Sequence, residues 1–228
     1  ILNIFYDLAY KKAKHIICLG ENMKDKIIKK GVSKNNITII NNWATGDFKK
    51  SKNIILREQW DIVAKKVIIY SGNLGLTHDY LTILESIKVS NLKKEDLQMI
   101  FMAQGKKLNE AKVYVKNNNL ENIVLFKKLV DNKDFPNVLA ISDIALVTIR
   151  KGFGGMVYPS KFQGYISRSL PVIYIGPDCE ISKIIRKENL GISFKNNKIK
   201  KISKFLKEYI TYSDKQDKWR ENALSFYS

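Results

Sequence analysis

Strand and helix patterns alternate along most of this sequence, and that alternation restricts its fold more than any other feature does. Between residues 67 and 195, six short apolar stretches have the length of strands, and amphipathic helical patterns separate them. The first stretch, residues 67–70, is a continuous apolar run of the kind that is buried on both faces of a parallel sheet. The sequence therefore predicts a doubly wound α/β domain, whose ligands bind beyond the carboxyl ends of its strands.

Three further segments flank this domain. Residues 1–48 contain two helix and two strand patterns, which predict a partial α/β piece that is the tail of a preceding domain. Residues 49–66 are predicted to form a linker that includes a short helical pattern. Residues 196–228 are predicted to form amphipathic C-terminal helices, whose aromatic stripe indicates packing rather than ligand binding.

The chain is strongly basic. Its formal charge is +18, from 40 Lys and Arg residues against 22 Asp and Glu residues in 228 residues. The charge is spread along the chain, whereas a nucleic-acid-binding domain more often concentrates it on one element between aromatic residues, so we expect no nucleic-acid partner. A dispersed excess of lysine suits contact with an anionic membrane or with phosphorylated substrates, and a soluble lysine-rich surface explains it equally well.

Cysteine content and hydropathy bear on where the protein works. Cys18 and Cys179 are too few and too far apart for a disulfide framework or a zinc site, which indicates a reducing compartment. No apolar run reaches the ~18 residues of a membrane span, and no signal-peptide pattern follows Ile1. These features suggest a fragment of a cytoplasmic protein, and they are compatible with peripheral contact at the inner face of the cell membrane.

Two loops at predicted strand ends carry residues that suit phosphate. Gly72 and Gly75 leave backbone N–H groups open to a pyrophosphate, although their spacing matches neither a dinucleotide fingerprint nor a Walker A loop. In the other loop, Arg150 precedes a glycine-rich turn, and Ser160 can cap a helix that Lys161 begins, so cations and free N–H groups meet there. The alternative is a set of solvated surface cations.

A third loop ends at Glu180, where another helical pattern begins. The carboxylate could accept hydrogen bonds from sugar hydroxyls, or it could lie favourably in the first turn of a helix.

Several segments, taken in order, resemble one family. They are residues 70–75, 142–146, 158–164, 170–173 and 176–181. Together they resemble the C-terminal, donor-binding half of the GT-B glycosyltransferases, and most closely family 4, the bacterial transferases that build exopolysaccharide, capsule and O-antigen. The resemblance is strongest across residues 67–195. Residues 13–17 and 39–43 are similar to the end of the N-terminal, acceptor-binding domain.

The resemblance implies a retaining transferase that takes a sugar from a nucleotide donor, with a UDP-sugar as the expected donor, and needs no metal or other cofactor. Its acceptor would be a cell-surface polysaccharide or a lipid-linked glycan. Lys128 and Leu129 would meet the base through backbone groups, and Glu180 would meet sugar or ribose. The donor and its phosphates would be bound by Gly72, Asn73, Gly75, Arg150, Ser160, Lys161 and Gly164.

The sequence also departs from the family pattern. Many relatives carry two glutamates eight positions apart, where this chain has Met156 and Gly164, and Arg168 stands where small residues are usual. The catalytic groups of the N-terminal domain are absent, so we expect no catalytic residue in this chain, and we expect its terminal helices to pack against residues 1–48. A degenerate nucleotide-sugar-binding scaffold and a UDP-sugar epimerase of the same fold are the alternatives.

Overall fold

The N-terminal part of the chain forms a small α/β unit with its own core. In the computed structural model, which describes residues 2–43, 54–212 and 214–227, this unit contains helix α1 (Leu2–Lys12), strand β1 (Ile16–Cys18), helix α2 (Glu21–Lys29) and strand β2 (Ile37–Ile39). The two strands pair in parallel, and Cys18, Ile27, Val32 and Ile37 form the buried cluster. The predicted partial α/β piece is therefore present over residues 2–43. Residues 44–48 and the first part of the predicted linker, residues 49–53, lie outside the described residues.

Six parallel strands form the main sheet, as predicted. They follow helix α3 (Ile54–Gln59) and lie in the order β5-β4-β3-β6-β7-β8, where the strands are β3 (Lys66–Asn73), β4 (Leu97–Gln104), β5 (Val124–Lys127), β6 (Ile144–Thr148), β7 (Val172–Ile175) and β8 (Gly191–Phe194). The chain builds outwards from β3 on one side and then crosses to β6 to build the other side. The point where the strand order reverses lies between β3 and β6, which is where ligands bind in open α/β sheets.

Helices cover both faces of this sheet, so the domain is doubly wound. Alternate side chains of β3 enter opposite cores: Ile68 and Tyr70 on one face, Val67 and Ile69 on the other. The covering helices are α4 (Tyr80–Ser90), α5 (Leu108–Asn117), α6 (Phe135–Ala140), α7 (Lys161–Ile166), α8 (Glu180–Lys187), α9 (Ile199–Tyr209) and α10 (Asp214–Tyr227). None of the helices in the described ranges is both long enough and apolar enough to cross a membrane.

The C-terminal helices pack on the main sheet. Helix α9 lies along α4, and Phe205, Tyr209 and Trp219 are buried in the core on that face. The expectation that these helices pack against residues 1–48 is therefore wrong for α9. The aromatic stripe finds its partners inside the domain, where Phe205 stacks on Tyr209 with ring centroids 5.4 Å apart.

Candidate functional site

Lys161 lies directly over Gly72 at the carboxyl end of β3. Gly72 has a φ of +101°, a conformation that disfavours any side chain, and a Cβ placed there would be 3.2 Å from Cε of Lys161. The Lys161 amine is 5.1 Å from the centroid of the Tyr70 ring. Gly72 lies near the end of β3 and Lys161 begins α7, so the structure brings together two residues from either side of the reversal of strand order.

Lys161 carries a charge that no carboxylate among the described residues neutralises in an ion pair. Burial lowers the pKa of its amine. Across residues 2–43, 54–212 and 214–227, none of the ion pairs involves this amine. A partly desolvated cation without an anionic partner is costly, and an anionic ligand would offset that cost.

Ser160 does not cap helix α7. Its backbone is already helical, with φ −56° and ψ −22°, and its side chain makes no capping hydrogen bond. The predicted cap is therefore wrong. The role of Ser160 in donor binding stays a prediction.

His78 lies beside Lys161, and the sequence analysis did not single it out. Its Nδ1 accepts a hydrogen bond of 3.1 Å from the backbone N–H of Gly75, and its ring meets the Tyr70 ring edge-on at 5.9 Å. Burial, and then the charge of Lys161, lower the pKa of His78 to about 4. The imidazole is therefore neutral near pH 7, and with Nδ1 accepting, the ring proton is on Nε2, which can donate to a ligand.

Arg150 faces different surroundings from Lys161. Its backbone N–H donates to Thr77 O at 2.7 Å, which ties the loop after β6 to the loop after β3. Its side chain is exposed and lines a pocket of about 230 Å³ with Lys107, Glu110 and His78. Lys107 and, to a smaller extent, Arg150 lower the pKa of Glu110. His78, which lies beside Lys161, also lines this pocket.

Asn73 and Gly75 contribute to the packing of the loop after β3. A Cβ on Gly75 would be 3.2 Å from Nδ2 of Asn73, and a Cβ on Gly105 would overlap Oδ1 of the same side chain. The Asn73 amide thus bridges the loops that follow β3 and β4. The backbone carbonyl oxygen of Asn73 accepts a hydrogen bond of 2.6 Å from the Tyr70 hydroxyl, which fixes the backbone next to Gly72.

The surroundings of Gly164 are open. A Cβ there would meet nothing within 4 Å, so the position leaves room beside α7 for a ligand. Arg168, one turn later, donates to Gly164 O at 3.2 Å and lies over the Phe135 ring at 5.8 Å. Its position is thus explained by contacts within the domain.

Glu180 lies in a closed seam between the main domain and helix α2. Its backbone N–H donates to Oδ1 of Asn22, and a Cβ on Gly20 would overlap its Oε2. Burial raises the pKa of this carboxyl group. Oε2 is buried and has no hydrogen-bond partner among the described residues. The cavity beside it holds only about 10 Å³, too little for a sugar, so the predicted sugar or ribose contact requires the seam to open.

The predicted base-binding residues follow β5 at one edge of the sheet. Lys128 is exposed and Leu129 is 40% exposed, next to Phe126, which stacks on Phe101 at 5.6 Å. One strand separates β5 from β3, which corresponds to about 10 Å at the usual spacing of strands. A ligand that contacts both Gly72 and Leu129 must therefore extend across the carboxyl edge. Within the described ranges, no group of three or more His, Cys, Asp or Glu residues could hold a metal ion.

Comparison with known proteins decides the family. The profile of the family described as "Glycosyl transferases group 1" matches residues 52–226, which includes the whole main sheet. The chain belongs to this family. The resemblance to GT-B glycosyltransferases that was read from the sequence motifs is thereby confirmed.

Two curated relatives are glycosyltransferases by name. WbjE of Pseudomonas aeruginosa is 25% identical over 199 residues, which cover 84% of this chain and 48% of that protein. WcaI of Escherichia coli K12, described as a colanic acid biosynthesis glycosyl transferase, is 26% identical over 160 residues, covering 67% of this chain and 38% of its own length. This chain thus spans about half or less of the curated relatives that it matches.

Solved structures share the fold. HepE of Anabaena, crystallised with UDP-glucose, matches with a TM-score of 0.82 at 15% identity over 100% of this chain and 62% of its own. WaaG, a glycosyltransferase involved in lipopolysaccharide biosynthesis, matches with a TM-score of 0.73 at 17% identity over 99% of this chain and 62% of its own. At these identities the likeness shows the fold alone.

Proposed function

We propose that this chain is the donor-binding half of a retaining glycosyltransferase, and that it binds a UDP-sugar through the diphosphate. The observation that carries the proposal is the Lys161 amine, which is partly buried over Gly72 and has no carboxylate partner in the described part of the chain. A diphosphate bound there would supply the missing counter-charge. It is also the leaving group of the reaction, so the same cation would stabilise the charge that develops during transfer.

His78 makes this site selective for an anion that accepts hydrogen bonds. Its neutral ring offers Nε2–H without adding charge, because Nδ1 is already occupied by the Gly75 N–H. Gly72 leaves the backbone beside Lys161 uncovered. A point charge, a neutral donor and bare backbone are together suited to phosphate oxygens.

The base and the donor sugar are assigned by position. The uracil would reach Lys128 and Leu129, across β4 from the diphosphate, and the open space beside Gly164 would admit part of the donor. The UDP-glucose complex of HepE supports a UDP donor by analogy of fold. Glu180 would meet the sugar or ribose only with the seam open.

The acceptor is proposed from the relatives. Names that refer to colanic acid and lipopolysaccharide biosynthesis support a cell-surface polysaccharide or a lipid-linked glycan as acceptor. We propose that the protein works at the cytoplasmic side of the membrane. These 228 residues match only part of such enzymes, and transfer requires donor and acceptor to be held together, an effect that can supply ~7–11 kcal/mol of the barrier. We therefore expect these residues alone to bind donor and to transfer nothing.

Thermal unfolding with nucleotides tests the proposal. UDP at ~100 times its dissociation constant should stabilise the fold by about 2.7 kcal/mol, in the presence of EDTA because no metal is invoked. An unchanged melting temperature with UDP, combined with a rise for ADP or GDP, would refute the base assignment.

Substitution of Lys161 tests the phosphate assignment. Lys161→Ala should weaken binding of UDP much more than binding of uridine, because uridine lacks the diphosphate. Lys151→Ala is the matched control, since Lys151 is an exposed cation of the same loop. Equal weakening of UDP and uridine would place Lys161 away from the phosphates. Transfer of radiolabelled sugar from UDP donors into a lipid extract by the parent enzyme would then distinguish a transferase from a scaffold or an epimerase.

A further inference from the structure

One face of helix α9 consists of exposed lysines. Four lysines are spaced so that they share one side of the helix: Lys200, Lys201, Lys204 and Lys207. Lys195 and Lys198 lie in the segment that leads into the helix. All six side chains are exposed, and residues 195–207 contain no Asp or Glu. We call these six residues the lysine face.

The opposite side of α9 is fixed in the core, so the lysine face has a defined direction. Ile202, Leu206 and Tyr209 are fully buried, and Phe205 is nearly so. Within the described ranges, the lysine face makes a single ion pair, which is weak because the Lys204 amine is 3.8 Å from Glu208 and both side chains are exposed. A rigid helix therefore presents a row of cations with little internal neutralisation.

The lysine face begins beside the proposed donor site. Asn196, which follows Lys195, donates to Oδ2 of Asp79 and to the carbonyl oxygen of Ile149. Asn197 N–H donates to Oγ1 of Thr82 at 3.2 Å. Asp79 is the residue after His78, so these hydrogen bonds hold the start of the lysine face at the carboxyl edge of the sheet.

We propose that the lysine face docks this domain on an anionic membrane surface, with the carboxyl edge of the sheet held close to that surface. The partner follows from charge complementarity. Proteins that bind single-stranded nucleic acid stack bases on exposed aromatic rings, and both aromatic rings of α9 are buried in the core. A flat row of long, flexible cations suits a surface of lipid headgroups instead. The proposal does not depend on the nucleotide assignment.

Vesicle co-sedimentation tests this docking. Each lysine near an anionic surface contributes about 1 kcal/mol, which corresponds to about a fivefold change in affinity. Replacing Lys200, Lys201, Lys204 and Lys207 by Gln should therefore reduce binding to vesicles of phosphatidylcholine with phosphatidylglycerol by about 10²–10³-fold. Vesicles of phosphatidylcholine alone should not bind either protein, and added salt should release the native protein.

The control removes the same charge elsewhere. Lys29, Lys34, Lys106 and Lys116 are also exposed, and their replacement by Gln lowers the net charge equally. If the lysine face docks on the membrane, this control variant should lose less than tenfold in affinity for the anionic vesicles. If dispersed charge is responsible, the control variant and the lysine-face variant should lose the same affinity. Equal losses, absence of binding to the anionic vesicles, or a higher affinity for single-stranded RNA at the same ionic strength would each overturn it. UDP affinity should be unchanged in both variants.

Discussion

Replacement of Gly72 by Ala should damage the donor site far more than it damages the fold. The alanine would have to adopt a φ near +101°, and its Cβ would lie 3.2 Å from Cε of Lys161. The Lys161 stem is flexible and can move by a few tenths of an ångström. The amine would then leave its position over Gly72 and beside the Tyr70 ring, where it is placed to meet a diphosphate.

The cost in stability follows from the backbone. A non-glycine residue in a disfavoured region costs about 1–3 kcal/mol, and the smaller entropy of the unfolded Ala chain offsets about 0.4–1 kcal/mol of that. We expect a net loss of about 1–2 kcal/mol, which corresponds to a fall of about 2–8 °C in Tm for a chain of this size. The binding cost is separate. Loss of a hydrogen bond between charged groups is worth about 1.5–3 kcal/mol, so UDP should bind about 10–100-fold more weakly.

Gly152→Ala separates the two effects. Gly152 has a φ of +96°, close to that of Gly72, but a Cβ there would meet nothing within 4 Å. The two variants should lose similar stability in thermal unfolding, and only Gly72→Ala should lose UDP affinity in calorimetric titration. A normal UDP affinity for Gly72→Ala, or an equal loss for Gly152→Ala, would refute the placement of the phosphates at Lys161.

Three other expectations can be checked by unfolding experiments. Burial lowers the pKa of His78 to about 4, below the ~6.5 of an unfolded histidine, so folding stability should fall as the pH drops from about 6.5 to 4. His78→Gln should flatten this dependence. If the stability of the variant and of the native protein fell in parallel with pH, the neutral ring would be contradicted. Arg168→Ala should cost about 1 kcal/mol, because the cation lies over the Phe135 ring, and should leave UDP affinity unchanged; a large loss of affinity would place Arg168 in the site. Gly20→Ala should lower folding stability by about 1–2 kcal/mol, because the new Cβ displaces the Glu180 carboxylate, and it should lower stability clearly less when Glu180 is already replaced by Ala. Equal losses of stability in the two backgrounds would show that the two groups are not coupled.

The sheet could be predicted from the sequence because its strands are buried on both faces. All six strands that the apolar stretches predict between residues 67 and 195 are present in the sheet. The end of β3 was harder to predict from the sequence. Polar residues begin at Ser71, so the pattern ended the strand there, whereas the ladder continues to Asn73, which pairs with Gln104. Pairing with a neighbouring strand, rather than local hydrophobicity, sets that boundary.

Contacts between distant residues limited the prediction of the site. Motif resemblance indicated Gly72 and Lys161 separately, but only the structure shows that they touch. His78 could not be predicted as a site residue, because nothing in the polar sequence around it indicates that its ring is buried. Similarly, charge counted over residues 196–228 averages the lysines of α9 with the acidic residues of α10, which hides the lysine face.

The seam at Glu180 suggests how the domain and helix α2 affect each other. Asn22 accepts from the first N–H of α8, while the Glu180 carboxylate lies over Gly20, where α2 begins, so each side places an acceptor at the start of the other's helix. Closure buries a carboxylate whose Oε2 lacks a partner, and the raised pKa of Glu180 reflects that cost. Near neutral pH the closed seam is therefore penalised, because the carboxylate is charged when exposed. Because the closed cavity beside Oε2 holds only about 10 Å³, a sugar hydroxyl could donate to Oε2 only with the seam open, so occupation of the proposed sugar position would favour the open arrangement of the two sides.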